Sequence, residues 1–353
     1  MDAIKKSWIQ YVYGDENTTS LYECKSLNND LSIEVSSKSC VNANDDVTDN
    51  TELINFLTDL NNANSIEEIE KIFDVDLFLK EMAYEYLSGS WDHFLIYGHN
   101  YFLYKPKNGK WKYIINDFDS DFGQDIPVGY PGMVMEPIKM LNTNFASFTF
   151  KEWAHIPHRI IDILIFNDST RFESILKQFV NDAFNPATLF PYIDKLKEFV
   201  SPFVKLDKTL NEDGKYPGKL NENIGDYSLA QWNANCEFTS IHTLQGSTAF
   251  GLKYWILERY RTVCKNYNMD CDSIYINENY EYSIDESVEG SFENDLYLKK
   301  NLNPNHHSMP NLEPSETDTI EQEEPTETNY IEQEEPTESN DIDQEEPTEI
   351  STN

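Results

Sequence analysis

Asp92, Asn100, Asp117, Asp119 and Asp121 are the residues of this 353-residue chain whose types and spacing could do chemistry. The last three form a D-x-D-x-D run. Carboxylates crowded in this way repel one another unless a cation sits among them. Their hard oxygens suit Mg²⁺ or Mn²⁺, with water and substrate phosphates in the remaining positions. Sugar-nucleotide transferases and phosphohydrolases also use D-x-D, so the spacing fixes no reaction. A solvated acidic loop fits the same residues.

The element that must position them is a β-hairpin. Tyr101–Lys105 and Trp111–Ile115 are rich in aromatic and β-branched residues, and Asn108-Gly109 lies midway between them. Asn-Gly is the strongest two-residue turn signal, because both turn positions need φ > 0. With that turn, cross-strand partners have numbers summing to 217. Tyr104 then faces Tyr113, Phe102 faces Ile115, and Asn100 faces Asp117. Residues i and i+2 share one face of a strand, so an extended chain points Asp117 and Asp119 the same way, beside Asn100. The loop carrying Asp92 joins them from the other end of the hairpin.

The rest of the chain reads in three parts. Residues 1–48 are polar and β-rich: Trp8–Tyr13 alternates loosely, and Ser20–Cys24 and Leu31–Val35 read as short strands. From 49 to 276 the pattern is helical apart from the hairpin at 100–117. Thr51–Leu60 is a short helix, Ser65-Ile66-Glu67-Glu68 is a capping box, and Val75, Phe78, Leu79, Met82, Ala83 and Tyr86 mark the apolar face of a stronger helix. Residues 124–147 are loop-like. Helices follow over Trp153–Phe166, Thr170–Phe184 and Ala187–Leu206, where a spacing of three to four predicts core packing. His155 and His158 are a weak candidate metal pair, with Pro157 between them and no third ligand evident. Residues 207–250 are mixed loop. Gly251 opens a last amphipathic helix, whose Arg259 and Arg261 are expected at the surface.

From 277 to 353 the composition shifts to an acidic tail. An 11-residue unit recurs from Glu321, Glu332 and Asp343. Uniform charge and few apolar residues predict disorder. Thr and Ser beside the acidic residues are candidate phosphate acceptors. The whole chain carries a net charge of −36, and residues before the tail are acidic too. That argues against nucleic acid or an anionic membrane as the main partner. No apolar run has the length of a membrane span, and the first residues lack a signal-peptide core. Five cysteines, Cys24, Cys40, Cys236, Cys264 and Cys271, show no metal-type spacing. They permit disulfides in an oxidising compartment without establishing them.

In protein kinases a base-bearing loop and a metal-binding Asp are joined by a short hairpin, the order found here from Asp92 to Gly123. The stretches D-V-D-L-F-L-K-E-M-A-Y-E-Y-L-S-G-S-W-D, H-N-Y-F-L-Y, G-K-W-K-Y-I-I-N-D-F-D-S-D-F-G and G-L-K-Y-W-I-L-E-R-Y-R resemble the CotH kinase family, spore-coat-type proteins of bacteria and fungi. The resemblance spans roughly residues 10–267. It implies an α+β, atypical protein-kinase-like fold, mostly the helical C-terminal lobe with its catalytic hairpin. It implies Asp92 as the catalytic carboxylate and Asp117 as the Mg²⁺ (or Mn²⁺) ligand. Asn100 and Asp119 would support the metal and the ATP. The implied activity is ATP-dependent phosphorylation of Ser or Thr in protein substrates. The family's upstream R-G-x-S lobe, with lysines that approach ATP, is not found, so Met1 is expected to fall inside the domain. A secreted or cell-surface placement follows if an N-terminal lobe and leader precede it, and a cytoplasmic one otherwise. The alternative function is a non-catalytic surface or interaction protein on the same fold.

Overall fold

Six helices start from a side-chain cap three residues ahead of the N–H it accepts. Ser32 accepts from Val35, Ser65 from Glu68, Asp74 from Leu77, Thr149 from Glu152, Asn185 from Thr188 and Ser228 from Gln231. Each cap satisfies one of the orphan donors of a first turn. The computed structural model describes residues 4–126, 143–217, 227–244 and 247–290.

In chain order the first elements are α1 (Lys6–Tyr13), β1 (Leu21–Cys24), α2 (Ile33–Ser39), β2 (Cys40–Asn42), α3 (Thr51–Asn62), α4 (Ile66–Glu70), α5 (Val75–Ser88), β3 (Tyr101–Tyr104) and β4 (Lys112–Ile115). The fold is α+β. Its sheet is antiparallel in the order β2-β1-β3-β4. Two sequence expectations fail in the first segment. Trp8–Tyr13 is helical, because a helix lets Ile9 close over Leu21, Phe102, Tyr104 and Ile114 on one face of the sheet. Leu31–Val35 is not a strand, because Ser32 caps α2 there. α5 packs against β4 on the main-core side of the sheet, with Phe78 edge-on to Phe94 and Tyr113.

The hairpin exists, but its register differs from expectation by one residue. Tyr101 faces Ile115, Phe102 faces Ile114 and Tyr104 faces Lys112. The bend is longer than two residues: Gly109 N–H donates to the Pro106 carbonyl at 3.3 Å. Neither Asn108 nor Gly109 adopts positive φ. Trp111 leaves the β3 ladder and bridges Phe73 instead.

Beyond the hairpin lie α6 (Phe150–Trp153), α7 (Arg159–Ile161, running into a π-turn over Asp162–Phe166), α8 (Thr170–Asp182), α9 (Pro186–Asp207), α10 (Leu229–Asn235), the strand pair β5 (Ile241–His242) and β6 (Thr248–Ala249), α11 (Leu252–Asn266) and α12 (Ser273–Ile276). The helix expected over 153–166 is broken where Pro157 removes a donor. α8 packs on α5. α9 departs from core packing: only Pro186 and Phe190 are buried. Arg259 of α11 is not at the surface. It is fully buried, donates to the carbonyls of Phe148 (2.7 Å) and Phe145 (3.0 Å), and lies among the rings of Tyr86, Trp153 and Trp255.

Cys24–Cys40 and Cys264–Cys271 are disulfides, and Cys236 is free. Residues 277–290, assigned to the tail from sequence, pack on the domain. Tyr282 stacks on Phe238 at 4.2 Å, and Gly290 N–H donates to the Ser240 carbonyl. The repeats, and the expectation of disorder over 291–353, lie outside the described residues, as does 127–142 of the expected loop. No helix among the described residues is long and apolar enough to cross a membrane.

Candidate functional site

Asp92 sits in the loop between α5 and β3, and that loop is held from two sides. Glu85, on the buried face of α5, accepts the Leu95 N–H at 2.9 Å and the Tyr113 hydroxyl at 3.3 Å. Burial pushes the Glu85 carboxyl well above its usual range. Asn28 N–H donates to the Tyr97 carbonyl and Asn29 N–H to the Gly98 carbonyl. Gly98 has φ 57°, and a Cβ there would lie 2.1 Å from the Asn29 carbonyl oxygen. Only glycine permits this contact between the loop and the N-terminal segment.

The Asp92 carboxylate meets Asn100, whose amide Nδ2 donates to Oδ2 at 3.0 Å. Oδ1 lies 3.4 Å from His93 Nδ1. His93 is fully buried, and burial pushes its imidazole down to about 4, so it is neutral near pH 7. Its Nε2 lies 2.9 Å from the Asn116 carbonyl. A carbonyl only accepts, which places the ring proton on Nε2 and leaves Nδ1 as a bare lone pair facing Asp92. Asp92 itself is pushed up to about 7, first by burial and then by the charges of Asp119, Asp121 and Asp117.

Those three acids come from a turn, not from an extended strand. Asn116 N–H donates to the Asn100 carbonyl, so Asn116 continues the ladder opposite Asn100. Asp117 then turns left-handed, with φ 64°. The expected pairing of Asn100 with Asp117, and the shared strand face of Asp117 and Asp119, are therefore both corrected. Asp117 is half-buried and Asp119 is exposed, with Ser120 Oγ donating to Asp119 at 3.2 Å. Asp121 is buried. Tyr84 donates to its Oδ2 at 2.7 Å and Ser90 to its Oδ1. Burial, opposed by these donors, leaves it pushed up to about 6. Asp121 thus ties the acidic turn to the end of α5, a tie repeated by Phe122 N–H donating to the Ser88 carbonyl. Phe118 covers this side, against the rings of Tyr84 and His93.

The structure thus joins Asp92 directly to Asn100 and gathers Asp117, Asp119 and Asp121 near enough to raise the basicity of Asp92. Among the described residues, no three His, Cys, Asp or Glu side chains are arranged to hold a metal ion. Of the two histidines, His158 is buried and stacks on Phe94 at 4.5 Å, and His155 has its Nδ1 3.3 Å from the Trp153 carbonyl. Sequence reasoning missed Tyr84, Glu85, Ser90 and His93. Glu85 carried a signal, since a carboxylate seven residues after Phe78 and three after Met82 falls in the apolar stripe of α5.

The chain belongs to the CotH kinase protein family, whose model matches residues 1–238. The closing-helix stretch of α11 lies beyond that match. Curated relatives come from Rhizopus delemar. Invasin CotH7 is 30% identical over 166 residues, covering 46% of this chain and 26% of that protein. Invasin CotH3 is 27% identical over 241 residues, covering 63% and 33%. Spore coat protein homolog 1 is 28% identical over 218 residues, covering 60% and 32%. The chain therefore spans about a third or less of the length of these relatives.

Proposed function

We propose that the chain is a CotH-type protein kinase, with an atypical kinase-like fold, that transfers the γ-phosphoryl group of ATP to Ser or Thr of protein substrates. The observation that carries the reading is Asp92: a largely buried carboxylate, fixed by Asn100, with its proton affinity raised to about 7. A base of that strength is half deprotonated at neutral pH and well matched to a hydroxyl proton. As the acceptor oxygen attacks phosphorus, its proton passes to the Asp92 carboxylate, and the bridging oxygen leaves on ADP. The bare Nδ1 of His93 faces the buried Oδ1 of that carboxylate at 3.4 Å.

The donor set fits Mg²⁺ or Mn²⁺ in chemistry. These ions are usually held by one or two carboxylates together with substrate phosphates and water, so the lack of a three-ligand group does not conflict with them. Asp117 and Asp119 are the carboxylates assigned to the ion, with Asn100 beside them. The ion would neutralise phosphate charge in an otherwise acidic site.

The second reading is a non-catalytic surface or interaction protein on the same fold. It is favoured by the name invasin carried by CotH7 and CotH3. Two disulfides agree with an oxidising, secreted or cell-surface setting for either reading. The test is label transfer from γ-labelled ATP to casein with Mg²⁺ or Mn²⁺, beside thermal shift with metal and ATP. Transfer lost in Asp92→Asn, with a metal-dependent shift lost in Asp117→Ala, is expected. Neither transfer nor shift in the wild-type chain would install the second reading.

A further inference from the structure

α9 carries an apolar face that none of the described residues covers. Tyr192, Leu196, Phe199, Phe203 and Leu206 follow a four-three-four-three spacing, and Leu210 continues it just past the helix end. Each keeps between 43% and 71% of its surface exposed. Spacing of this kind puts side chains in one narrow stripe, the seam of a paired helix rather than the broad face of a core helix.

The stripe is symmetric about Ser201. Leu196 and Leu206 lie equally far from it on either side, Phe199 and Phe203 do likewise, and Tyr192 matches Leu210. Turned antiparallel on a second copy, it sets leucine against leucine and phenylalanine against phenylalanine. A two-fold interface requires such self-complementarity, because residue i meets residue j and j meets i. At on the order of 150–250 Å² for a large side chain, the exposed parts of the six residues amount to roughly 700 Å² per chain, or ~1,400 Å² for a pair, within the range of stable interfaces. The net charge of −36 disfavours an anionic lipid surface as the occupant.

We propose that α9 is a homodimerisation helix, pairing antiparallel with α9 of a second copy. The full chain is measured by sedimentation velocity at tens of micromolar. A particle of twice the chain mass is expected, and Phe199→Glu with Phe203→Glu returns it to single mass with an unchanged melting curve. A second measurement fixes the geometry. In a Cys236→Ser background, Leu196→Cys protein mixed with Leu206→Cys protein crosslinks on oxidation at least ten-fold more than either alone. A monomeric wild type, a dimer that survives both glutamates, or crosslinking of Leu196→Cys with itself would each overturn the proposal. Binding of the wild-type monomer to neutral lipid vesicles would assign the stripe to a membrane instead and overturn it too.

Discussion

Asp92→Asn should make the protein more stable and less active at the same time. The carboxyl is held near 7 in the folded chain, against an ordinary value of 3.8. Ionising it in place is therefore harder than ionising it in the unfolded chain. The full shift of about three pH units corresponds to a ceiling of about 4 kcal/mol at 1.36 kcal/mol per unit. The side chain keeps 17% exposure, and the neighbouring charges are screened by solvent, so ~1–2 kcal/mol is the realistic gain. The amide is close in shape. Its oxygen can take the hydrogen bond from Asn100, and its nitrogen faces the bare Nδ1 of His93.

The sign follows from proton linkage. A folded value above the unfolded one means the folded state holds the extra proton between pH 3.8 and about 7, so wild-type stability falls as pH rises across that window. The advantage of the variant should be near zero at pH 4, grow through pH 7 and level off above it. Urea denaturation at steps from pH 4.5 to 8.5 measures it, and ~1–2 kcal/mol appears as a rise of roughly 1–4 °C in Tm at pH 8. Loss of the base should lower phosphoryl transfer by about 10²–10⁴-fold. A stability difference that is flat with pH, or that favours the wild type at pH 8, would refute the burial-and-charge argument for Asp92.

Asp119→Asn removes the largest single charge acting on Asp92 and should move the rising limb of the pH–rate profile to lower pH; an unmoved limb would remove Asp119 from the site's electrostatics. Arg259→Ala leaves two backbone carbonyls and a ring-lined space without their cation, and should cost about 3–5 kcal/mol by urea denaturation, with Arg259→Lys rescuing less than half because it lacks the planar fork. Gly123→Ala, at φ 90° and with a new Cβ 2.4 Å from Phe250, should cost about 1–3 kcal/mol. Thiol titration of denatured protein should find one reactive cysteine before reduction and five after it.

What could be read in advance was what local chemistry dictates. α5 was legible because Asp74 caps it, its apolar residues recur at helical spacing, and Gly89 ends it in a left-handed cap. The hairpin was legible from its aromatic runs, and its register was not. Asn-Gly suggested a two-residue bend, while Lys105 Nζ donating to the Gly109 carbonyl and the Pro106–Gly109 turn close a longer one. The fate of Arg259 was hidden for another reason. A guanidinium on an amphipathic helix looks like surface unless the Phe145 and Phe148 carbonyls that receive it are known, and they lie more than a hundred residues away in the chain. α9 shows the same limit in reverse, since its apolar spacing was visible and its exposure among the described residues was not.

The one-residue register change also says how the acidic cluster is built. With Asn116 rather than Asp117 closing the ladder against Asn100, the carboxylates no longer depend on strand alternation to come together. They depend on left-handed residues: Asn100 at φ 56°, Asp117 at 64° and Phe122 at 51°. Asn and Asp tolerate that region through local hydrogen bonding, whereas Phe does not. The strain at Phe122 is held by the two ties to the end of α5, Ser88 carbonyl to Phe122 N–H and Ser90 with Tyr84 to Asp121. Asp121 ties the turn to α5 through hydroxyl donors on both of its oxygens. Asp117 and Asp119, the acids proposed above for the cation, are half-buried and exposed.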